Sequence, residues 1–160
     1  MIVHSDNVSR GILSDYLETR VTPETHNRLA EESMTLIPAN YEQGDEYEIT
    51  PIDYASVFRI LYNATYLSEA MSERALALLA ESSYDSGIVN GVPEGTVTAN
   101  KFGIDDTEQA QQRLQLHDCG VVYDEPNPYI LCVMTKTADV LAAQVAISSV
   151  SQIIYETLHQ

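Results

Sequence analysis

The chain has 160 residues, of which 44% are hydrophobic and 20% are charged. Acidic residues outnumber basic ones by 24 to 8, which gives a formal net charge of −16 at pH 7. This charge argues against nucleic acid and anionic membrane surfaces as partners, because both attract lysine and arginine. No run reaches the ~20 apolar residues of a membrane-spanning helix, and the first residues lack the basic and apolar regions of a signal peptide.

The first half of the chain predicts helices. Apolar residues between Ile12 and Leu17 recur at helical spacing behind the polar tripeptide Ser5-Asp6-Asn7. Thr22-Pro23-Glu24 and Thr50-Pro51-Ile52-Asp53 each combine a capping hydroxyl, a proline and an early acid, which is typical of a helix start. Ser68 has the capping hydroxyl for one more helix.

The second half predicts strands and a closing helix. The segment 96–99 is strand-like, and the apolar runs 119–123 and 129–134 flank a proline-containing turn, which is a hairpin signal. The segment 138–158 predicts a long helix. We expect it to pack on the sheet through Val140, Leu141, Val145, Ile154 and Leu158.

This order of elements predicts an α+β fold. We expect one domain over residues 1–160, mainly helical over 1–95, with strands and the closing helix over 96–160. Three antiparallel strands would leave an open sheet edge, through which the chain could associate with itself or with another chain.

The two cysteines, Cys119 and Cys132, fall on the two strands of the predicted hairpin and could lie opposite each other. Two cysteines do not make a disulfide framework. Because free cysteine is among the most buried residue types, we expect two small buried residues rather than a disulfide.

Two short motifs, Ser5-Asp6-Asn7 and Lys101-Phe102-Gly103, resemble the second and third signatures of class A β-lactamases and penicillin-binding proteins, which are serine hydrolases. Either motif alone is weak, and Ser5 or Asp6 could simply cap the following helix. The surrounding sequence strengthens the resemblance, because further stretches agree with the family in order and spacing: 50–55, 88–96, 117–123 and 128–135. The resemblance implies the later part of a β-lactamase-like fold, from an exported parent protein.

The resemblance also implies roles for individual residues. Ser5 matches the serine that relays a proton to the leaving nitrogen, and Lys101 matches the lysine that polarises this serine and attracts the substrate carboxylate. These two are the catalytic candidates. Asn7 matches a residue that binds the amide side chain of the substrate, Gly103 lets the substrate approach the strand, and the Ile104 N–H matches one oxyanion donor.

Phe102 departs from the family pattern, which usually has threonine or serine at this position. A hydroxyl there binds the carboxylate of a β-lactam or of a D-alanyl terminus, whereas phenylalanine offers no donor. Two interpretations are open. Phe102 either marks an altered substrate, which we favour, or serves in packing.

The first signature of the family, Ser-x-x-Lys, is missing. The two lysines, Lys101 and Lys136, follow Thr98 and Val133 at the required spacing. The resemblance implies a parent protein that acylates a serine with a β-lactam or D-alanyl-peptide-like substrate, without metal or organic cofactor. The chain alone should then be inactive, and the alternative is a remnant that binds a peptide or another partner. The histidines lack metal-ligand spacing: His4, His26, His117 and His159.

The segment 38–48 contains asparagine, glycine and aspartate and predicts a loop. Class A β-lactamases use a glutamate in this region to activate the deacylating water. Glu42, Glu46 and Glu48 lie in the right stretch, but the local pattern of the family is not visible. We therefore interpret them as a solvated acidic loop.

Overall fold

The computed structural model describes residues 1–36, 40–41, 47–105 and 114–160. Within these ranges no helix is long and apolar enough to cross a membrane. The elements in chain order are α1 (Asn7–Arg20), α2 (Pro23–Leu36), β1 (Asn40–Tyr41), β2 (Tyr47–Glu48), α3 (Pro51–Tyr62), α4 (Glu69–Ala80), a 3₁₀ turn (Val89–Gly91), β3 (Thr98–Asp105), β4 (Leu114–Val122), β5 (Tyr129–Thr137) and α5 (Val140–Leu158).

Side-chain caps begin the helices where the sequence predicts them. At the start of α3, the Asp53 N–H donates to the Thr50 hydroxyl at 3.2 Å, and the Thr50 N–H donates to the Asp53 carboxylate at 2.9 Å. The Met71 N–H donates to the Ser68 hydroxyl at the start of α4. These hydrogen bonds satisfy backbone donors that have no partner within a helix. The predicted loop 38–48 differs, because β1 and β2 pair within it as a short antiparallel ladder.

The main sheet has the order β3-β4-β5, with both pairings antiparallel. One face packs on α3 and α4, where Phe58, Leu76 and Leu79 meet Ala99 and Val121. The opposite face packs on α5 and the 3₁₀ turn and has its own cluster of buried side chains: Ile88, Leu116, Val122, Ala143 and Ile147. The sheet is therefore the middle layer between two groups of helices.

Cys119 and Cys132 form a disulfide between β4 and β5, so the expectation of two free cysteines was wrong. They are direct partners in the strand register, and their Cα atoms lie 4.1 Å apart. Cysteines whose Cα atoms lie more than about 7 Å apart cannot be bridged without backbone movement. Burial preference does not distinguish a bonded cysteine from a free one, whereas the strand register does.

The prediction of α5 was right about the helix and wrong about its buried face. Leu141 and Val145, which we expected on the sheet, are 69% and 54% exposed. Ala143, Ile147 and Ser151 are fully buried instead. Small side chains on this face allow the helix backbone to approach the 3₁₀ turn more closely than larger ones would.

An apolar helix face and a strand edge have no partner within the described residues. Helix α1 contains no buried residue, and its apolar side chains from Ile12 to Leu17 are 47–64% exposed. The outer edge of β5 has no strand beside it in the sheet order. The predicted open edge is therefore present.

Reduction of the disulfide should destabilise the chain. The Cys119–Cys132 bond closes a loop with a sequence separation of 13, and a loop of this size is expected to contribute about 3 kcal/mol by restricting the unfolded state. We expect urea unfolding with a phosphine reductant to show a loss of about this size. In a Cys119→Ala/Cys132→Ala control the reductant should have no effect. Equal stability of the oxidised and reduced chain would contradict the assignment.

Replacement of Gly91 by alanine should also be destabilising. An added Cβ would lie 2.3 Å from the Ser148 carbonyl oxygen and 2.4 Å from the Ser151 Cβ, both on α5. Overpacking of this kind typically costs about 1–3 kcal/mol. The matched control is Gly11→Ala in α1, where an added Cβ meets no atom within 4 Å. Thermal unfolding should separate the two, with Gly11→Ala neutral or stabilising.

Candidate active site

Ser5 and Lys101, the two predicted catalytic residues, meet beside β3. The Lys101 Nζ donates to the Ser5 hydroxyl oxygen at 2.6 Å, although 96 positions separate the two residues. It also donates to the Phe102 carbonyl at 2.7 Å. Ser5 has a φ of 49°, in the left-handed region that residues other than glycine seldom adopt. The backbone of Ser5, whose hydroxyl binds the Lys101 Nζ, therefore has an unfavourable conformation.

The turn before α1 fixes Ser5. The Ser5 N–H donates to the Ile2 carbonyl at 3.4 Å. The neighbouring Asp6 caps α1 by accepting the N–H groups of Val8 and Ser9, each at 3.0 Å, and it also accepts the Ser9 hydroxyl. The Ser9 hydroxyl, followed by the two backbone donors, lowers the Asp6 pKa. Asp6 therefore has the capping role that the sequence allows.

Tyr54 connects α3 to the same strand. Its hydroxyl donates to the Lys101 carbonyl at 2.7 Å. Burial, with a further contribution from the negative charge of Asp118, raises the Tyr54 pKa above its usual value. The phenol therefore stays protonated and remains a donor. The contact fixes the backbone from which the Lys101 side chain extends.

The Lys101 ammonium is half-buried, and its burial lowers the Lys101 pKa while the charge of Asp118 opposes this shift. The Nζ also lies 4.7 Å from the ring centroid of Phe102, within the range of a cation–π contact. A lysine with a lowered pKa beside a serine hydroxyl is a recurrent feature of proton-transfer sites.

The aromatic ring of Phe102 stacks on Tyr84, with centroids 4.1 Å apart and planes inclined by 21°. It also packs against the cluster that contains Leu116. Phe102 thus has packing contacts as well as its contact with Lys101.

The remaining predicted substrate-binding residues lie at accessible positions. Gly103 and Ile104 follow Lys101 on β3, and both are exposed. An added Cβ on Gly103 would meet no atom within 4 Å. Asn7 is the exposed first residue of α1, two positions after Ser5. Asn7 on α1 and Gly103 and Ile104 on β3 therefore lie within three residues of Ser5 or Lys101 in the sequence.

Sequence reasoning missed two residues beside the site, Tyr54 and Asp118. Asp118 is fully buried and accepts the Ile88 N–H at 2.9 Å and the Asn100 side-chain amide at 3.0 Å. The signal for Asp118 was an acid beside the apolar run 119–123. Tyr54 carried no comparable signal, because tyrosine is common on a half-buried helix face.

The other sequence candidates differ in how far the structure describes them. Glu42 and Glu46 lie outside the described residues, and only the backbone of Glu48 is described, in β2. His117 is half-buried on β4, and its Nδ1 accepts the Thr135 N–H at 3.2 Å. In the described ranges, no group of three or more histidine, cysteine, aspartate or glutamate side chains could hold a metal ion.

Comparisons with known proteins point to one family and fold. The model of the β-lactamase enzyme family matches residues 1–158. Searching the curated proteins gave no match. Solved structures similar to the chain include PBP-A in an acyl-enzyme complex with penicillin G, at 16% identity and a TM-score of 0.66 over 82% of this chain and 50% of the other.

Two β-lactamases are similar to a comparable extent. The enzyme from Sphaerobacter thermophilus is 22% identical, with a TM-score of 0.62 over 73% of this chain and 43% of the other. The TLA-1 extended-spectrum β-lactamase is 17% identical, with a TM-score of 0.62 over 70% and 42%. The chain spans half or less of these three proteins. Three observations agree with one another: the family match over residues 1–158, the partial β-lactamase-like fold and the contact between Ser5 and Lys101. The chain belongs to the β-lactamase enzyme family.

Proposed function

We propose that the chain provides the proton-relay and carboxylate-binding side of a serine hydrolase active site. The observation that carries this proposal is the 2.6 Å contact between the Lys101 Nζ and the Ser5 hydroxyl. The substrate would be a β-lactam or a D-alanyl-peptide-like amide. Support for this class comes from the family match and from the PBP-A structure, which is an acyl-enzyme complex with penicillin G.

The proposed reaction needs a serine from outside this chain. Its oxygen would attack the amide carbonyl, form an acyl ester and release the amide nitrogen. The proton that the attacking serine loses would reach this nitrogen through the Ser5 hydroxyl. Lys101 would hold the Ser5 oxygen in place and attract the substrate carboxylate, with Asn7 on the amide side chain. The Ile104 N–H would stabilise the oxyanion. Water would then hydrolyse the ester.

Phe102 bears on the choice of substrate. Without a hydroxyl at this position, carboxylate recognition would rest on Lys101 and on backbone donors of β3. The contact of the Phe102 ring with the Lys101 Nζ, at 4.7 Å from the centroid, suits an altered substrate better than a lost activity, because the ring supports the cation rather than displacing it.

The missing Ser-x-x-Lys would lie in a segment outside these 160 residues. The solved relatives are at least twice as long as the stretch that they share with the chain. We further infer an exported parent protein, because the Cys119–Cys132 disulfide would persist in an oxidising compartment.

Labelling with a fluorescent penicillin tests this function. The chain alone should take no covalent label, because it cannot supply the nucleophile. A chimera in which the chain replaces the corresponding part of the Sphaerobacter thermophilus enzyme should be labelled. We expect Ser5→Ala or Lys101→Ala in the chimera to slow labelling by about 10²–10⁴-fold, whereas Lys136→Ala, an exposed control, should not. Labelling of the isolated chain, or a folded chimera without label, would contradict the proposal.

A second candidate function is that of a module that binds another polypeptide. The open outer edge of β5 and the exposed apolar side chains of α5 favour it. Pairing of two copies across this edge is the self-association that the sequence predicts. The net charge of −16 on each copy opposes that association, so salt should strengthen it.

Sedimentation velocity at low and high salt tests this candidate. If two copies complete the sheet, a dimer should form and should strengthen as salt screens the charge. Leu141→Gln should weaken the dimer because Leu141 is 69% exposed on α5. Ser149→Gln, a polar change on the same helix, is the control. A monomer at all concentrations and salt levels would exclude self-association.

A further inference from the structure

Asp118 is a buried charge that the proposed chemistry does not use. Among the residues that the structure describes, it is the only carboxylate or cationic side chain in the fully buried class. Removing a carboxylate from water costs free energy that only specific partners offset. An apolar residue at this position of β4 would avoid that cost, so its contacts indicate what Asp118 contributes.

The Asp118 carboxylate joins three parts of the fold. It accepts the Ile88 N–H at 2.9 Å and the Asn100 side-chain amide at 3.0 and 3.3 Å. An added Cβ on Gly87 would lie 2.2 Å from the Asp118 Oδ2, so the chain passes the carboxylate closely there. Asp118 thus fastens the segment before the 3₁₀ turn to β3.

The β3 residue that Asp118 binds is Asn100, which directly precedes Lys101 in the sequence. Asn100 is fully buried, and its Oδ1 has no hydrogen-bond partner within the described residues. Its amide nitrogen is therefore held by Asp118. On the same strand pair, Asp118 is the register partner of Phe102. Asp118 therefore holds the residue that precedes Lys101 and lies opposite the residue that follows it.

The charges of Asp118 and Lys101 act on each other. Burial raises the Asp118 pKa; the hydrogen bonds from the Ile88 N–H, the Asn100 amide and the Cys119 N–H, followed by the Lys101 ammonium, oppose this shift. The Asp118 charge also acts on Tyr84, whose pKa is raised by burial and by that charge. Burial lowers the Lys101 pKa, and the Asp118 carboxylate opposes that shift in turn. The neighbouring elements carry other ionisable groups: Tyr54 on α3, His117 on β4, His4 and Asp6 beside Ser5, Asp105 on β3, and the exposed Glu69, Glu73 and Arg74 on α4.

We propose that Asp118 is a positioning residue for Lys101: it holds Asn100 behind β3 and places a negative charge behind the ammonium group that donates to Ser5. The role of Asp118 in catalysis rests on the proposed function. The effect of the Asp118 charge on Lys101 is measured on the chain itself and needs no enzymatic activity. An unlabelled chimera and an unchanged Lys101 titration are therefore separate results.

The chain suits a direct measurement because it contains only two lysines, Lys101 and Lys136. Lys136 is exposed and serves as an internal reference, and Lys136→Arg assigns the two signals. We would titrate the lysine ¹³Cε and ¹⁵Nζ resonances by NMR in the wild-type chain and in Asp118→Asn. We expect the Lys101 titration to move to lower pH in Asp118→Asn, while Lys136 stays in place.

Asp118→Asn is close to isosteric and can satisfy the same partners. Its Oδ1 can accept the Ile88 N–H, and its amide can donate to the unpartnered Asn100 Oδ1 once the Asn100 amide flips. An unchanged Lys101 titration in the folded variant would overturn the proposal.

Ser151→Ala is the matched control, because the Ser151 hydroxyl donates to the Ile88 carbonyl at 2.8 Å from the other side of the same segment. It should destabilise the chain without moving the Lys101 titration. An equal shift in Ser151→Ala and Asp118→Asn would show a merely structural role and overturn the proposal.

The wild-type chain gives a second readout that needs no folded variant. Because burial raises the Asp118 pKa, Asp118 should take up its proton above the usual carboxylate range. The Lys101 ¹⁵Nζ resonance should change over the same pH interval as the Asp118 ¹³Cγ resonance. Titration of Asp118 without a response at Lys101 would also overturn the proposal.

Discussion

The contact between Lys101 and Ser5 depends on the placement of one strand, β3. Three contacts from two elements fix that strand: β4 pairs with it along its length, Asp118 of β4 holds Asn100 from behind, and the Tyr54 hydroxyl of α3 donates to the Lys101 carbonyl. The lysine side chain is long and flexible, so its reach alone would not select Ser5. Because the backbone is already fixed, only the conformational entropy of the side chain is lost when the contact forms.

Local features of the fold could be predicted from the sequence. The helix starts at Thr22, Thr50 and Ser68 depend on a hydroxyl and on residues within one turn of it, and the hairpin of β4 and β5 depends on two apolar runs and a turn between them. The pairing of Ser5 with Lys101 is a long-range contact. No local sequence pattern joins positions that are 96 residues apart. The contact could be predicted only because the two motifs matched a family in which both lie in one active site.

Features that depend on tertiary neighbours could not be predicted in the same way. The apolar pattern of α5 is broad, and the face that packs is selected by small residues that let Gly91 approach the helix. The roles of Asp118 and Tyr54 depend on the groups that they contact on other elements. The disulfide follows from an exact register between β4 and β5, and a shift of one residue would place Cys119 and Cys132 on opposite faces of the sheet.

Under the proposed function, two tasks of a serine hydrolase are divided between this chain and the rest of the relatives' length. The chain holds Ser5, Lys101 and the buried Asp118 carboxylate in place, and the attacking serine would come from the length that the chain does not span. The open β5 edge and the apolar faces of α1 and α5 are the surfaces on which additional structure would gain most from burial, at about 25 cal/mol per Å² of apolar area. Because the contact between Lys101 and Ser5 is already formed in this chain, a partner segment would not need to build it when it docks. Its binding free energy could instead serve to place the nucleophile.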